Sequence, residues 1–172
     1  LNFNIVLDST SLQDSEKISL QVLLDNVLSD HKLDVKRKKL AINQVNEELV
    51  IYSNAKQLKV VLDNILSNAI KYSSDHGTIS IYTEFKNKQL QLFIVDNGPG
   101  INSDIKDKIF DAFYQGPSPE NSQIKGSGLG LTIVKELLMR LNGEISIESN
   151  SSNIKGTRVQ IMLPRAEKIG DK

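Results

Sequence analysis

Apolar residues recur along the chain at two different spacings, and these predict its elements. Leu20, Leu23, Leu24, Val27, Leu28 and Val35 keep a helical spacing, which predicts an amphipathic helix over Leu20 to Val35 with His31 inside it. The runs KLAINQV and ELVIYS, separated by NE, read as paired strands. A longer helix is predicted from about Ser53, as its N-cap, to Tyr72, with Leu58, Val61, Leu62, Ile65, Leu66, Ala69 and Ile70 on one face. GTISIYTEF and QLQLFIVD then read as adjacent strands joined by the polar turn KNKQ. A short helix is expected over 103–113, followed by the polar stretch QGPSPENSQIK, which has no periodicity. GSGLGL opens a third long helix through Leu141, with Ile133, Val134, Leu137, Leu138 and Leu141 turned to a core. GEISIES and GTRVQIML close the chain as a second strand pair. Strands and helices both recur, so the class is α+β or a mixed α/β sandwich.

Composition removes several function classes. The chain has 172 residues, enough for one domain with a real core, and no cysteine, which excludes disulfides, thiolate catalysis and cysteine-based metal sites. Acidic and basic residues balance at 21 each, so no strong field directs it to nucleic acid or an anionic membrane. No apolar run is long enough to span a bilayer, and LNFNIVLDST lacks the marks of a signal peptide. The absence of cysteine fits a reducing compartment, and a first residue other than Met fits a piece of a longer protein.

Four stretches hold candidate chemistry. In DNILSNAIKY, Asn64, Asn68 and Lys71 fall on one helical stripe beside the apolar face. They are either solvated surface residues or a carboxamide ligand for Mg2+ with a lysine for phosphate. In VDNGPGI, Asp96 ends an apolar strand. It either caps its own turn or accepts a hydrogen bond from a purine amino group in an apolar slot. In IFDAFYQG, Phe110 and Phe113 share a helix face and are core unless a ligand site lies beside them. In GSGLGL, Gly126, Gly128 and Gly130 precede a helix whose amides and dipole suit an anion. The stretch is neither a Walker loop nor a dinucleotide fingerprint.

In their order and spacing these stretches resemble the boxes of the nucleotide-binding domain of sensor histidine kinases. DNILSNAIKY resembles the asparagine box, DNGPGI the first glycine box, IFDAFY the phenylalanine box and GSGLGL the second glycine box; GTR at 156–158 resembles a short last glycine box. The resemblance covers about Leu20 to Pro164. It implies the Bergerat ATP-binding sandwich, an α+β fold with a mixed sheet against about three helices and a mobile lid over 114–125. Its domain limits would be 18–165, after a linker or the end of a dimerisation region at 1–17 and before a tail at 166–172. It implies an ATP site with Mg2+. Asp96 would bond the adenine amino group, with Gly98, Gly100, Ile101 and Tyr72 beside the base. Asn68 would ligate Mg2+, while Asn64, Lys71 and Lys125 would face the phosphates. Phe113, Gly126, Ser127, Gly128, Leu129, Gly130 and Thr157 would complete the site. Family members often carry Arg after the aromatic pair at the lid start, where this chain has Gln115.

The same fold serves gyrase-like, Hsp90-like and MutL-like ATPases, which commonly place a Glu four residues before the Mg-binding Asn. Here that residue is Asn64, and an amide cannot take a proton from water at neutral pH. Asp63 points elsewhere, since a helix turns about 100° per residue. Transfer to an external acceptor is therefore favoured over hydrolysis. Neither His31 in SDHKLDV nor His76 in SDHGT fits the acceptor pattern of a His followed directly by an acidic residue. The resemblance thus implies a histidine kinase fragment with no self-contained catalytic residue. It would be monomeric and cytoplasmic, in a parent that is anchored in the membrane in many relatives. Its partners would be its kinase's dimerisation domain and a response regulator, and not nucleic acid. The alternatives are a GHKL-type ATPase and a non-catalytic nucleotide-binding regulator.

Overall fold

The computed structural model describes residues 15–45, 47–101, 130–151 and 154–169. The elements are β1 (Glu16–Ser19), α1 (Leu20–Asp30), α2 (Lys32–Arg37), β2 (Ala41–Val45), β3 (Leu49–Ser53), α3 (Ala55–Tyr72), β4 (Thr78–Lys86), β5 (Gln89–Asp96), α4 (Gly130–Arg140), β6 (Glu144–Ser151), β7 (Ile154–Leu163) and β8 (Ala166–Lys168). Five strands form a mixed sheet in the order β2-β4-β5-β7-β6, in which only β2 and β4 run parallel. Helices α3 and α4 pack on this sheet and α1 packs beside α3, giving the α+β sandwich expected from the sequence. A second, antiparallel sheet has the order β1-β3-β8.

The core explains the periodicities. Leu58, Val61, Leu62, Ile65, Leu66 and Ile70 of α3 are buried against Ile79 and Ile81 of β4, Leu90, Leu92 and Ile94 of β5, and Ile161 of β7. Val134, Leu137 and Leu138 of α4 complete the layer beside α3. Strands β4 and β5 pair from Ile79–Asp96 to Lys86–Gln89, through a turn in which Asn87 and Lys88 both take positive φ. Strands β6 and β7 pair as the pattern predicts.

Several expectations need correction. The helix expected over Leu20 to Val35 ends at Asp30: the His31 N–H donates to the Leu28 carbonyl, closing the last turn, and α2 starts afresh with no buried residue. KLAINQV and ELVIYS do not pair with each other. β2 is an exposed edge strand parallel to β4, reached by a crossover through α3, whereas β3 is buried and lies between β1 and β8. Ser53 belongs to β3, where it pairs with Glu16. The N-cap of α3 is Asn54, whose side chain accepts the Gln57 N–H at 2.9 Å. The helix expected over 103–113 and the lid over 114–125 lie outside the described residues.

Candidate functional site

Strand β5 alternates Leu90, Leu92 and Ile94 into the core, and the next inward position is Asp96. A carboxyl group therefore sits where the pattern calls for an apolar side chain, and it is only 6% exposed. Its Oδ1 accepts the Gly98 N–H at 2.9 Å. Burial pushes its pKa from the ordinary 3.8 up to about 6, opposed by the backbone N–H groups of Gly98 and Thr157 and by the Lys38 charge.

Glycines let three pieces of backbone close around this group. A Cβ on Gly98 would stand 2.4 Å from the Tyr72 carbonyl oxygen, so the DNGPGI loop touches the end of α3 directly. Gly156 has φ +98, and a Cβ there would stand 2.1 Å from the Asp96 carbonyl oxygen. The loop is tied further along, where the Ile101 N–H donates to Ser149 Oγ at 2.5 Å and that hydroxyl donates to the Gly156 carbonyl at 2.9 Å. The Thr157 hydroxyl lies 3.4 Å from Ser149 Oγ. Gly100 takes φ +80 within the same turn.

Helix α3 supplies the stripe. Its apolar face is fully packed, which fixes the roll of the helix and places Asn64 and Asn68, both half-buried, along its side. Asn64 Nδ2 donates to the Val60 carbonyl at 2.7 Å, while a Cβ on Gly130 would stand 2.9 Å from Asn64 Oδ1. The start of α4 therefore abuts the asparagine stripe. Lys71 is only 6% exposed, and its Nζ lies 5.2 Å from the centroid of the Tyr72 ring. Asp63 turns off the stripe to meet His31 Nε2 at 2.7 Å. That pairing pushes the His31 pKa up, chiefly through the hydrogen bond and against burial.

The structure thus joins Asn64 to Gly130 at the middle of α3, and Tyr72 to Gly98 and Asp96 at its C-terminal end. Phe113, Gln115, Lys125, Gly126, Ser127, Gly128 and Leu129 lie outside the described residues. Among the described residues, no group of three or more His, Asp or Glu could hold a metal ion. No helix there is long and apolar enough to cross a membrane.

Two residues of the site escaped the sequence reading. Ser149 occupies an inward position after Ile145 and Ile147, and this break in the alternation was a legible signal. Lys38 donates from Nζ to the carbonyls of Ile70, Lys71 and Ser73 at 2.7, 3.0 and 2.5 Å. Burial holds its pKa below the usual lysine value. Nothing in KRKK distinguishes this lysine from its neighbours.

The sequence matches the family described as histidine kinase-, DNA gyrase B-, and HSP90-like ATPase over residues 53–167. The sensor protein kinase PmrB of Pseudomonas aeruginosa is 30% identical over 156 residues, which is 91% of this chain and 32% of that protein. The chain therefore spans about a third of that relative. The solved mycobacterial sensor histidine kinase MprB superposes with a TM-score of 0.75 at 23% identity, covering 90% of this chain and 99% of that one. The histidine kinase ThkA, solved in complex with the response regulator protein TrrA, gives 0.72 at 20% identity, covering 88% and 42%. At these identities the structural likeness speaks to the fold alone.

Proposed function

The chain belongs to the histidine kinase-, DNA gyrase B-, and HSP90-like ATPase family, and we propose that it is the ATP-binding catalytic portion of a sensor histidine kinase. In this role it gives the γ-phosphoryl group of ATP to a histidine on a separate dimerisation domain. One observation carries the reading: a buried carboxyl group stands at the C-terminal end of α3 and a glycine-started helix abuts the middle of α3, at Asn64. From Asn64 to Tyr72 is eight residues, or about 12 Å along the axis. That leaves a base at the Asp96 end and phosphates at the Gly130 end.

At the base end, the Asp96 carboxylate accepts the exocyclic amino group of adenine, with Tyr72, Gly98, Gly100, Ile101 and Thr157 around the ring. At the phosphate end, Asn64 orients the chain of phosphates, joined by the amide of Gly130 at the start of α4, while Lys71 offers its charge to them from beside Tyr72. Lys125, Gly126, Ser127, Gly128 and Leu129 are assigned to the same end, and Phe113 to the wall of the site. Asn68 fits Mg2+ as a single protein oxygen donor, because this ion takes the rest of its shell from phosphate oxygens and water. When bound, the ion neutralises phosphate charge. Among the described residues no acidic cage competes with that arrangement.

Transfer rather than hydrolysis follows from Asn64. Its amide nitrogen is engaged by the Val60 carbonyl, and an amide offers no general base for water. The γ-phosphorus bond to the β,γ-bridging oxygen breaks, a bond to an imidazole nitrogen forms, and ADP leaves. Neither histidine of this chain is followed directly by an acidic residue as in the acceptor pattern, and His31 is already bound to Asp63. The acceptor therefore comes from the dimerisation domain. A response regulator would take the phosphoryl group onward, and the ThkA–TrrA complex supports such a partner.

Phosphorus NMR of ATP with the chain, with and without Mg2+, tests this directly. The expected result is broadened, shifted ATP signals without growth of ADP and phosphate. Phosphohistidine should form only when a histidine-bearing dimerisation domain is added. Fast release of phosphate by the chain alone would favour a hydrolase, and unperturbed ATP signals at high protein concentration would refute nucleotide binding.

A further inference from the structure

Three of the last four carbonyls of α3 have a hydrogen-bond partner, and two of the three take it from one side chain of a distant element. A helix leaves its last four carbonyls without intrahelical partners. Here the Ala69 carbonyl takes the Ser73 N–H at 3.0 Å and the Ser73 hydroxyl at 2.6 Å. The Tyr72 carbonyl lies against Gly98. The Ile70 and Lys71 carbonyls, with that of Ser73 just beyond the helix, receive the Lys38 ammonium. Three acceptors thus meet the three donors a lysine has, and its positive charge lies at the negative end of the helix dipole.

Lys38 is itself fixed. Its N–H donates to the Asp34 carbonyl at 3.0 Å, and its own carbonyl takes the His76 N–H at 2.8 Å, so the backbone spans from α2 to the approach of β4. Lys71 and Tyr72 both spring from the turn that this ammonium caps.

We propose that Lys38 is a positioning residue for the nucleotide site, fixing the last turn of α3 so that Lys71 and Tyr72 meet the Asp96–Gly98 loop in the binding geometry. This rests on the ATP-binding reading above. Lys38 acts through the helix end and through its charge, not by touching the nucleotide. The charge reaches Asp96, helping to hold the carboxyl in its anionic form. Around Lys38 stand Asp75, Asp34 and Arg37, the first two favouring its charged form and the last opposing it.

The test is equilibrium binding of Mg-ATP to the 172-residue chain and to Lys38→Met and Lys38→Arg, measured from about pH 5 to pH 8 with melting curves alongside. Lys38→Met should weaken binding about tenfold at pH 7.5. It should also move the acid limb of the affinity profile, set by Asp96 near 6, to higher pH. Protonation of ATP itself is common to all three proteins and cancels in the comparison. Lys38→Arg keeps the charge and should keep the limb in place. Unchanged affinity in Lys38→Met overturns the positioning role alone, and so does weaker binding with an unmoved limb, which a merely structural residue would give. If Lys38→Met does not fold, Lys38→Arg decides: a limb at the wild-type position supports the role, and an upward shift overturns it. No binding by the unsubstituted chain removes the ATP reading first and this inference with it.

Discussion

Replacing Asp96 by Asn should stabilise the empty protein while weakening its hold on ATP. The carboxyl is raised from 3.8 to about 6, mainly by burial, so its ionised form is disfavoured in the folded state. That gap of roughly two units corresponds to about 3 kcal/mol, the most that removing the charge can return. The sign follows from linkage. A group whose pKa is raised by folding contributes fully only below its unfolded value of 3.8; the contribution fades as pH rises and is gone above about 6. Asn removes that loss and keeps an oxygen for the Gly98 N–H, but its own NH2 needs a partner and the attraction to Lys38 disappears. A net gain of about 1–2 kcal/mol is therefore expected at pH 8, worth roughly 2–4 °C in Tm for each kcal/mol. Near pH 4 there should be almost no gain. ATP affinity at pH 8 should fall about tenfold, since the charge-assisted bond to the adenine amino group proposed for Asp96 would be replaced by a neutral one. Urea or thermal unfolding at the two pH values, with ATP titration at the upper one, measures all of this. Destabilisation at pH 8, or an equal gain at both pH values, would refute the burial account of Asp96.

Gly156→Ala should cost about 3 kcal/mol or more in urea unfolding of the ATP-free chain, because φ is +98 and the new methyl meets the Asp96 backbone at 2.1 Å; a loss below about 1 kcal/mol would mean that the β5–β7 pair yields. His31 is raised above 6.5 by its hydrogen bond to Asp63, so its contribution is complete below that value and is lost as pH rises through the folded pKa. Asp63→Asn should therefore flatten the decline in stability between about pH 6 and pH 8, and an unchanged slope would show that the pair is not thermodynamically coupled.

Legibility in the sequence followed the range of the interactions concerned. Helix α3, the β4–β5 hairpin and the β6–β7 pair were readable because their periodicities are local and each buries one face. The small sheet was not, since Glu16, Ser53 and Lys168 lie far apart in sequence and no local pattern announces that their strands meet. β2 and β3 resembled a hairpin because a three-residue polar connection usually makes one; a crossover through α3 took β2 to β4 instead. Within the site, Asp96 was legible as a carboxyl group at the end of an apolar strand. Lys38 was illegible for the opposite reason, since its role comes from where the chain path carries one cation among several.

The candidate site is built from features that each weaken a fold when taken alone. A buried carboxyl group and a lysine at 6% exposure stand in the interior, and two glycines, Gly100 and Gly156, hold backbone conformations that side chains avoid. What offsets them is the opposite face of α3, where Leu58, Val61, Leu62, Leu66 and Ile70 are almost wholly removed from water. Fully burying such a side chain contributes about 1.5–3 kcal/mol. The same packing also has a geometric consequence. Rolling α3 by one residue would turn it about 100° and carry these apolar groups toward solvent, so Asn64, Asn68 and Lys71 cannot leave their side of the helix without disrupting the core. Axial slippage is the freedom that remains, and it is opposed at two points, by Gly130 against Asn64 at mid-helix and by Lys38 beneath the last turn. The polar stripe is therefore placed by the hydrophobic core in rotation and by two specific contacts in translation, which is why one lysine outside the sequence motifs can matter to the geometry of the site.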